Sequence, residues 1–257
     1  MIGGGNMGAA LLGGLLSGGV LQPVRVAVVE RIMERRVELA EMFPGVLVTD
    51  TIPPCRSAVL AVKPPDIAAA ATASVAAGAT RLLSIAAGIT TTTIRAAVGA
   101  GIDVVRAMPN TPALVGDGVS AICADADSDS TALDWAEAIL GAVGMVVRVD
   151  EEHFDAVTGL TGSGPAYLFA VAEALIAAGR GVGLPDELLE PMVTRLMLGS
   201  ARLLAERGDP AALRRAVTSP GGTTAAGLAV FAERDLDGVV AAAVAAATER
   251  GRELGRS

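Results

Sequence analysis

One histidine, His153, one lysine, Lys63, one tyrosine, Tyr167, and two cysteines, Cys55 and Cys123, are all that 257 residues contain of these types. A lone imidazole with unclustered thiols excludes zinc sites, c-type haem and histidine-based triads, so no metal site is expected. Two cysteines cannot make a disulfide framework in a chain this long, and no basic region with an apolar run opens it as a secretory signal. A reducing cytoplasm is the expected compartment. Mean hydropathy is high, at +0.54. Even so, the apolar runs are rich in Ala and Gly and are broken by charges before the ~18 residues that a membrane span needs, so no span is expected. Positive charge is also scarce: Lys and Arg number 20 against 28 Asp and Glu, a net charge of -8. That balance argues against a sequence-independent grip on nucleic acid or anionic lipid and points to a small-molecule partner.

Hydrophobic residues make up 52% of the chain and charged residues 19%, which excludes a disordered, collagen-like or coiled-coil protein. Along the first two thirds, β-branched runs alternate with helical stretches, the pattern of a parallel sheet. Strands are predicted at Val24 to Val29, Ser57 to Val62, Leu82 to Ala86, Asp103 to Arg106, Val119 to Ala124 and Met145 to Val149. Most are apolar throughout, as strands covered on both faces must be. After about residue 150 only helical segments follow, divided by Gly and Pro. The predicted fold is therefore an α/β Rossmann-like domain over residues 1–150 with a mainly parallel sheet, then an all-α domain over residues 151–257. Helices around Asp186 to Glu206 and Ala241 to Arg252 are apolar or small on more than one face, which predicts a subunit interface.

Gly3, Gly5 and Gly8 fit G-x-G-x-x-G, in which the first glycine makes a tight turn, the second admits a pyrophosphate and the third lets helix pack on strand. A predicted helix follows, and Glu30 ends the next predicted strand, where a ribose-recognising residue belongs. Glu30 suits the adenine ribose of NAD, whereas Arg31, Arg35 and Arg36 suit the 2′-phosphate of NADP or simply a solvated helix start. Only Met1 and Ile2 precede Gly3, so the strand that should feed this loop is apparently truncated. Its absence would leave neighbouring strands without ladder partners, and reduced stability or a rearranged sheet is expected.

Six segments in order carry a resemblance: IGGGNMG at Ile2 to Gly8, AVKP at Ala61 to Pro64, AAGIT at Ala86 to Thr90, RAMPNTPA at Arg106 to Ala113, AVTGLTGSGPAY at Ala156 to Tyr167, and VTSPGGTT at Val217 to Thr224. Together they resemble the pyrroline-5-carboxylate reductases nearly end to end. The resemblance implies reduction of 1-pyrroline-5-carboxylate to L-proline, the last step of proline biosynthesis, by hydride transfer from NADPH or NADH, with NADPH the slightly favoured form. It further implies a helical dimerisation domain and assembly of intertwined dimers, often into decamers. By the same resemblance, the dinucleotide is held by Ile2, Gly3, Gly4, Gly5, Asn6, Met7 and Gly8, by Glu30 and Arg31, by Ala61, Val62, Lys63 and Pro64, and by Ala86, Ala87 and Asn110.

A protonated cyclic imine is already electrophilic, so its reduction needs alignment more than a strong acid or base, which suits a chain with one histidine and one lysine. A Ser-Pro-Gly-Gly turn entering a helix offers backbone N–H groups to the substrate carboxylate, with Ser219, Gly222 and Thr223 as the cradle. By similarity Thr224 is the catalytic residue, its hydroxyl an orienting donor at the ring nitrogen. Helix capping alone also accounts for the turn. Glu151 matches a substrate-site position and also belongs to the acidic cluster Asp150 to Glu152. Asn110, between Pro109 and Pro112, either positions the nicotinamide or closes a turn. Tyr167 is not a short-chain-dehydrogenase base, because Val171 stands where the partner lysine would be. Two other readings stay open: another NAD(P)-dependent imine or hydroxyacid reductase, or a protein that binds NAD(P) or pyridoxal phosphate without turnover. The hydroxyacid enzymes usually carry a lysine on the helical domain, and this chain has none there.

Overall fold

A computed structural model describes residues 1–256. Its contacts divide the chain into two compact units, Met1–Ser163 with Ala245–Ser257, and Gly164–Val244. The first unit is built on a sheet with strands β1 (Ala27–Val29), β2 (Leu47–Thr49), β3 (Ser57–Leu60), β4 (Arg81–Ser84), β5 (Asp103–Met108), β6 (Gly118–Ala124) and β7 (Gly144–Arg148). β1 pairs with β2, and β3 to β7 lie side by side in chain order. Pairing is parallel except between β5 and β6, so the last two strands run against the rest. The helices of this unit are α1 (Asn6–Ser17), α2 (Met33–Met42), α3 (Ile67–Ala76), α4 (Thr91–Val98), α5 (Thr131–Leu140) and the short α6 (Phe154–Val157).

Alternation along each central strand explains the continuous apolar runs. Val59, Leu83 and Val105 join Leu11 and Leu15 of α1 and Leu140 of α5 in one buried cluster. Ala58, Leu60, Leu82 and Val104 join Ile67 of α3 and Ile94 of α4 in another. Successive side chains of a strand point to opposite faces, so a sheet covered by helices on both must be apolar at every position. Strand ends shift from the predicted ones where local chemistry dictates. Pro23 opens a 3-10 turn over Pro23–Arg25, which leaves β1 only Ala27–Val29. The edge strand β2 went unpredicted, being three residues with no buried side chain to mark a pattern.

The expected gap in the sheet is partly filled. Residues 1–3 lie between β1 and β3 as a stub of the first strand, with Ile2 bridging Val29 on one side and Leu60 on the other. Gly3 N–H donates to Val29 O at 2.9 Å, Val29 N–H to Met1 O at 2.9 Å, Ile2 N–H to Val59 O at 2.8 Å, and Ala61 N–H to Ile2 O at 2.7 Å. The α-amino group donates to Ala27 O at 2.8 Å, and burial pushes its pKa down to about 6. Three residues thus supply ladder partners to both neighbours, so the sheet is not rearranged.

The second unit holds α7 (Gly164–Gly181), α8 (Asp186–Arg207), α9 (Pro210–Ala216), α10 (Thr223–Glu233) and the first part of α11 (Leu236–Arg256). Asp209 starts α9: its carboxylate accepts the Ala212 N–H at 2.9 Å, and Pro210 occupies the first turn, where no N–H is needed. Among the described residues of this unit, Leu189 and Val193 are the only buried apolar side chains. Leu168, Phe169, Leu196, Val230, Phe231 and Val239 are exposed, Phe169 by 65%. Against the expectation that no apolar run is long enough, the helical run Glu151–Gly181, which begins in the first unit, meets the length and composition needed to cross a membrane, with 6% of its apolar window buried. Such a surface needs a cover that the single chain does not supply.

We expect Ile2→Ala to cost about 2–4 kcal/mol in a urea titration, the range for truncating a buried apolar side chain. Val20→Ala, at a residue 47% exposed, should leave the midpoint nearly unchanged.

Candidate active site

The carboxyl ends of β1, β3, β4 and β5 share one edge of the first unit's sheet, because these strands are mutually parallel around the stub. Ligands bind at this edge in open α/β sheets. The glycine loop is built there by close backbone packing. Gly3 has φ +103°, and a Cβ on it would lie 2.5 Å from the carbonyl oxygen of Ala61. A Cβ on Gly8 would strike the carbonyl oxygen of Gly3, so α1 can pack against the loop only with glycine at this place. Gly5 is different: it is exposed, and a Cβ on it would meet nothing within 4 Å. It is also the N-cap of α1 and supplies no side chain to the first amides of the helix. Open space, uncapped N–H groups and the positive helix end fit the pyrophosphate of a dinucleotide.

Glu30 leaves β1 beside this loop. Its carboxylate accepts the Gly4 N–H at 3.0 Å through Oε2 and the Ile32 N–H at 3.0 Å through Oε1. Burial alone would raise its pKa, but the amides of Ile32, Gly4 and Arg31, aided by the Arg35 charge, outweigh it and hold the group below the ordinary glutamate value. Arg31 reaches Asp66 at 3.0 Å. Arg35 donates to Gly4 O at 2.8 Å and to Glu38 at 2.6 Å, and Arg36 donates to the carbonyls of Glu30 and Arg31, both at 2.9 Å.

Ala61 and Val62 follow β3, and Lys63 caps the 3-10 turn Pro64–Asp66. Lys63 and Pro64 are exposed, Ala86 after β4 is buried and Ala87 exposed. Asn6 is exposed and Met7 half-buried at the start of α1. These positions line the same edge as the glycine loop. Asn110, after β5, is buried, and both ends of its amide are used within the protein: Oδ1 accepts the Val119 N–H at 2.8 Å, and Nδ2 donates to Thr161 O at 3.1 Å.

Glu151 sits in a network of its own. Its carboxylate accepts from the Thr91 amide at 2.9 Å, the Thr91 hydroxyl at 2.7 Å and Arg106 at 3.0 Å. Arg106 is 5% exposed and stacks over the Phe154 ring at 4.5 Å. Sequence reading passed over Arg106 and Thr91, although an arginine inside the apolar run DVVRAM was a signal, since a buried charge requires a partner. Next to the pair, burial first and the Glu151 charge second push the Cys123 thiol up to about 12, which removes it as a nucleophile. Asp150, Glu152 and His153 bring potential ligand atoms within 4.8 Å of one another, but all three are exposed, as an acidic cluster can be without an ion.

In the second unit, Ser219 to Gly222 make a β-turn closed by Gly222 N–H to Ser219 O at 3.1 Å. Gly221 has φ +68°, which with Pro220 before it gives a type II turn. Gly222 is the N-cap of α10 and provides no capping side chain, and a Cβ on it would strike the Ser219 hydroxyl. Thr223 and Thr224 are exposed in the first turn of α10. The turn therefore presents uncapped amides and three hydroxyls at a helix N-terminus, a carboxylate-binding arrangement.

A Rossmann-like sheet with a dinucleotide loop, joined to a chain of helices, defines a nicotinamide-dependent oxidoreductase fold. Residues 1–88 match the family described as NADP oxidoreductase, coenzyme F420-dependent, and residues 151–254 match pyrroline-5-carboxylate reductase dimerisation. The pyrroline-5-carboxylate reductase of Mycobacterium leprae is 40% identical over 99% of this chain and 95% of its own. The solved structure of a pyrroline-5-carboxylate reductase from Coxiella burnetii superposes with TM-score 0.91 at 34% identity, covering 100% of this chain and 97% of that one. The NADP-bound Plasmodium falciparum pyrroline carboxylate reductase gives 0.83 at 27% identity, covering 99% and 96%. The chain belongs to the pyrroline-5-carboxylate reductase family.

Two outcomes check the electrostatics. A carboxylate with a depressed folded-state pKa adds stability above its unfolded pKa, and this is lost as the pH falls through the folded value. Glu30→Gln should therefore flatten the acid side of the stability profile, below the ordinary glutamate value. Arg106→Met should cost about 1–3 kcal/mol in thermal or urea unfolding, because it leaves the half-buried Glu151 carboxylate without its cation.

Proposed function

We propose that this protein reduces 1-pyrroline-5-carboxylate to L-proline with NADPH or NADH. The observation that carries the reading is the coexistence in one chain of a dinucleotide loop fixed by backbone contacts and the SPGGTT turn with its uncapped amides. Bound NAD(P)H supplies the hydride that reduces the C=N carbon. The chain's own residues bind and orient. Gly5 and the first amides of α1 hold the pyrophosphate, with Ile2, Gly3, Gly4, Asn6, Met7 and Gly8 shaping that seat. Ala61 to Pro64, Ala86 and Ala87 border the nicotinamide end, and Asn110 fixes the neighbouring loop through Val119 and Thr161.

Ser219, Gly222 and Thr223 bind the substrate carboxylate through the turn and the positive end of α10. Thr224 places its hydroxyl at the ring nitrogen. A threonine hydroxyl is a poor independent acid, so its contribution is orientation of an imine that reacts in its protonated form. Glu151, bonded to Arg106 and Thr91, acts on the site by anchoring these elements; its carboxylate has little capacity left for a ligand.

The exposed apolar helices of the second unit support self-association, with dimers as the basic assembly and decamers built from them. The acidic net charge of -8 argues against a grip on nucleic acid or anionic membranes, and two free cysteines support a place in a reducing cytoplasm.

The deciding assay follows NADPH and NADH oxidation on addition of 1-pyrroline-5-carboxylate. Cofactor binding without substrate-dependent turnover would favour a sensing role instead. Thr224→Ala should lower kcat about 10- to 100-fold, the worth of one oriented hydrogen bond, with dinucleotide affinity unchanged and Thr224→Ser restoring most of the rate. Unchanged turnover in the alanine variant would remove Thr224 from this role. Analytical ultracentrifugation should find no monomer at micromolar concentration, and a monodisperse active monomer would refute the dependence on assembly.

A further inference from the structure

The corner of the first unit where β1 ends carries more acid than base, and every arginine there already has an acidic partner. Arg31 pairs with Asp66 at 3.0 Å, Arg35 with Glu38 at 2.6 Å and Arg36 with Asp50 at 3.7 Å. Arg36 is further held by the carbonyls of Glu30 and Arg31, and Arg35 by that of Gly4. Glu30 is the fourth carboxylate among three guanidiniums. It cannot turn away without abandoning the amides of Gly4 and Ile32, which hold one oxygen each. The Arg31 amide is also directed at it, and a carboxylate has about four acceptor positions, so one remains for a neighbouring hydroxyl. A 2′-phosphate placed at the same corner would meet a fixed anion and find no guanidinium without a carboxylate already on it.

We infer that Glu30 is a specificity-determining residue that ranks the dinucleotide with a free 2′-hydroxyl above its 2′-phosphorylated counterpart. The inference rests on the reductase reading and deepens it: the enzyme uses both reduced cofactors but binds NADH more tightly than NADPH. The three arginines, which by sequence suit a phosphate, instead brace the loop and the start of α2. Arg31, the most exposed of them with 77% of its side chain accessible, is the one whose release from Asp66 would oppose this ranking.

The test is calorimetric titration of the intact protein with ADP-ribose and with 2′-phospho-ADP-ribose, which needs neither turnover nor a variant. Like charge at close range near a protein surface is expected to weaken the phosphorylated ligand about tenfold or more, and the gap should narrow as salt rises. Glu30→Gln should close most of the gap through tighter binding of the phosphorylated ligand. Equal or tighter binding of 2′-phospho-ADP-ribose by the parent protein would overturn the inference while leaving the reductase reading intact. Binding of neither ligand would overturn the dinucleotide site and the inference with it.

Discussion

The sheet of the first unit depends on one short ladder. β1 and β2 form one pair and β3 to β7 a separate run, and what joins them is the backbone of residues 1–3, with Ile2 bonded on both sides. Each bond is worth only about 1 kcal/mol net, but an amide or carbonyl left unpaired in the same buried place costs about 1–3 kcal/mol. The ladder therefore fixes position more than it adds stability. It sets the glycine loop at the carboxyl edge, against the carbonyl of Ala61, and the rest of the dinucleotide site is arranged around that contact.

Around the loop, charge is managed in two ways. At the surface, Glu30 and the arginines of α2 form mutual contacts that brace backbone groups: Gly4 alone receives Glu30 on its N–H and gives its carbonyl to Arg35. In the interior, Arg106 is paired with Glu151 and stacked on the face of Phe154, while Thr91 completes the carboxylate's hydrogen bonds. A buried ion pair of this kind is weak evidence for net stability, but its directional bonds tie β5 to the start of α4 and to the turn that follows β7. The second unit uses little electrostatics. Its helices present leucine, valine and phenylalanine outward, which is affordable only if another copy of the chain covers them.

Much of the fold was legible because hydrophobic periodicity is local. The strand predicted at Val119 to Ala124 is β6, Gly118–Ala124, and strands with both faces buried stood out as unbroken apolar runs. β2 did not, because three partly exposed residues carry no period. The site was legible where glycine is compulsory: Gly3, Gly8 and Gly221 are each required by a left-handed angle or a close approach. The engagements of Asn110 and Glu151 were not legible, because Thr161, Val119, Thr91 and Arg106 lie between 9 and 60 residues away in the chain.

By itself the sequence determined the class of fold and the order of most of its elements, and it singled out the residues proposed to hold a dinucleotide and a carboxylate, since these follow from local pattern, turn chemistry and side-chain type. Only the tertiary structure decided how charges pair. Whether Arg31 and Arg36 are open to a phosphate or committed to Asp66 and Asp50 depends on separations of a few ångströms between separate segments of the chain. Coulomb energy falls with distance in space and takes no account of distance in sequence.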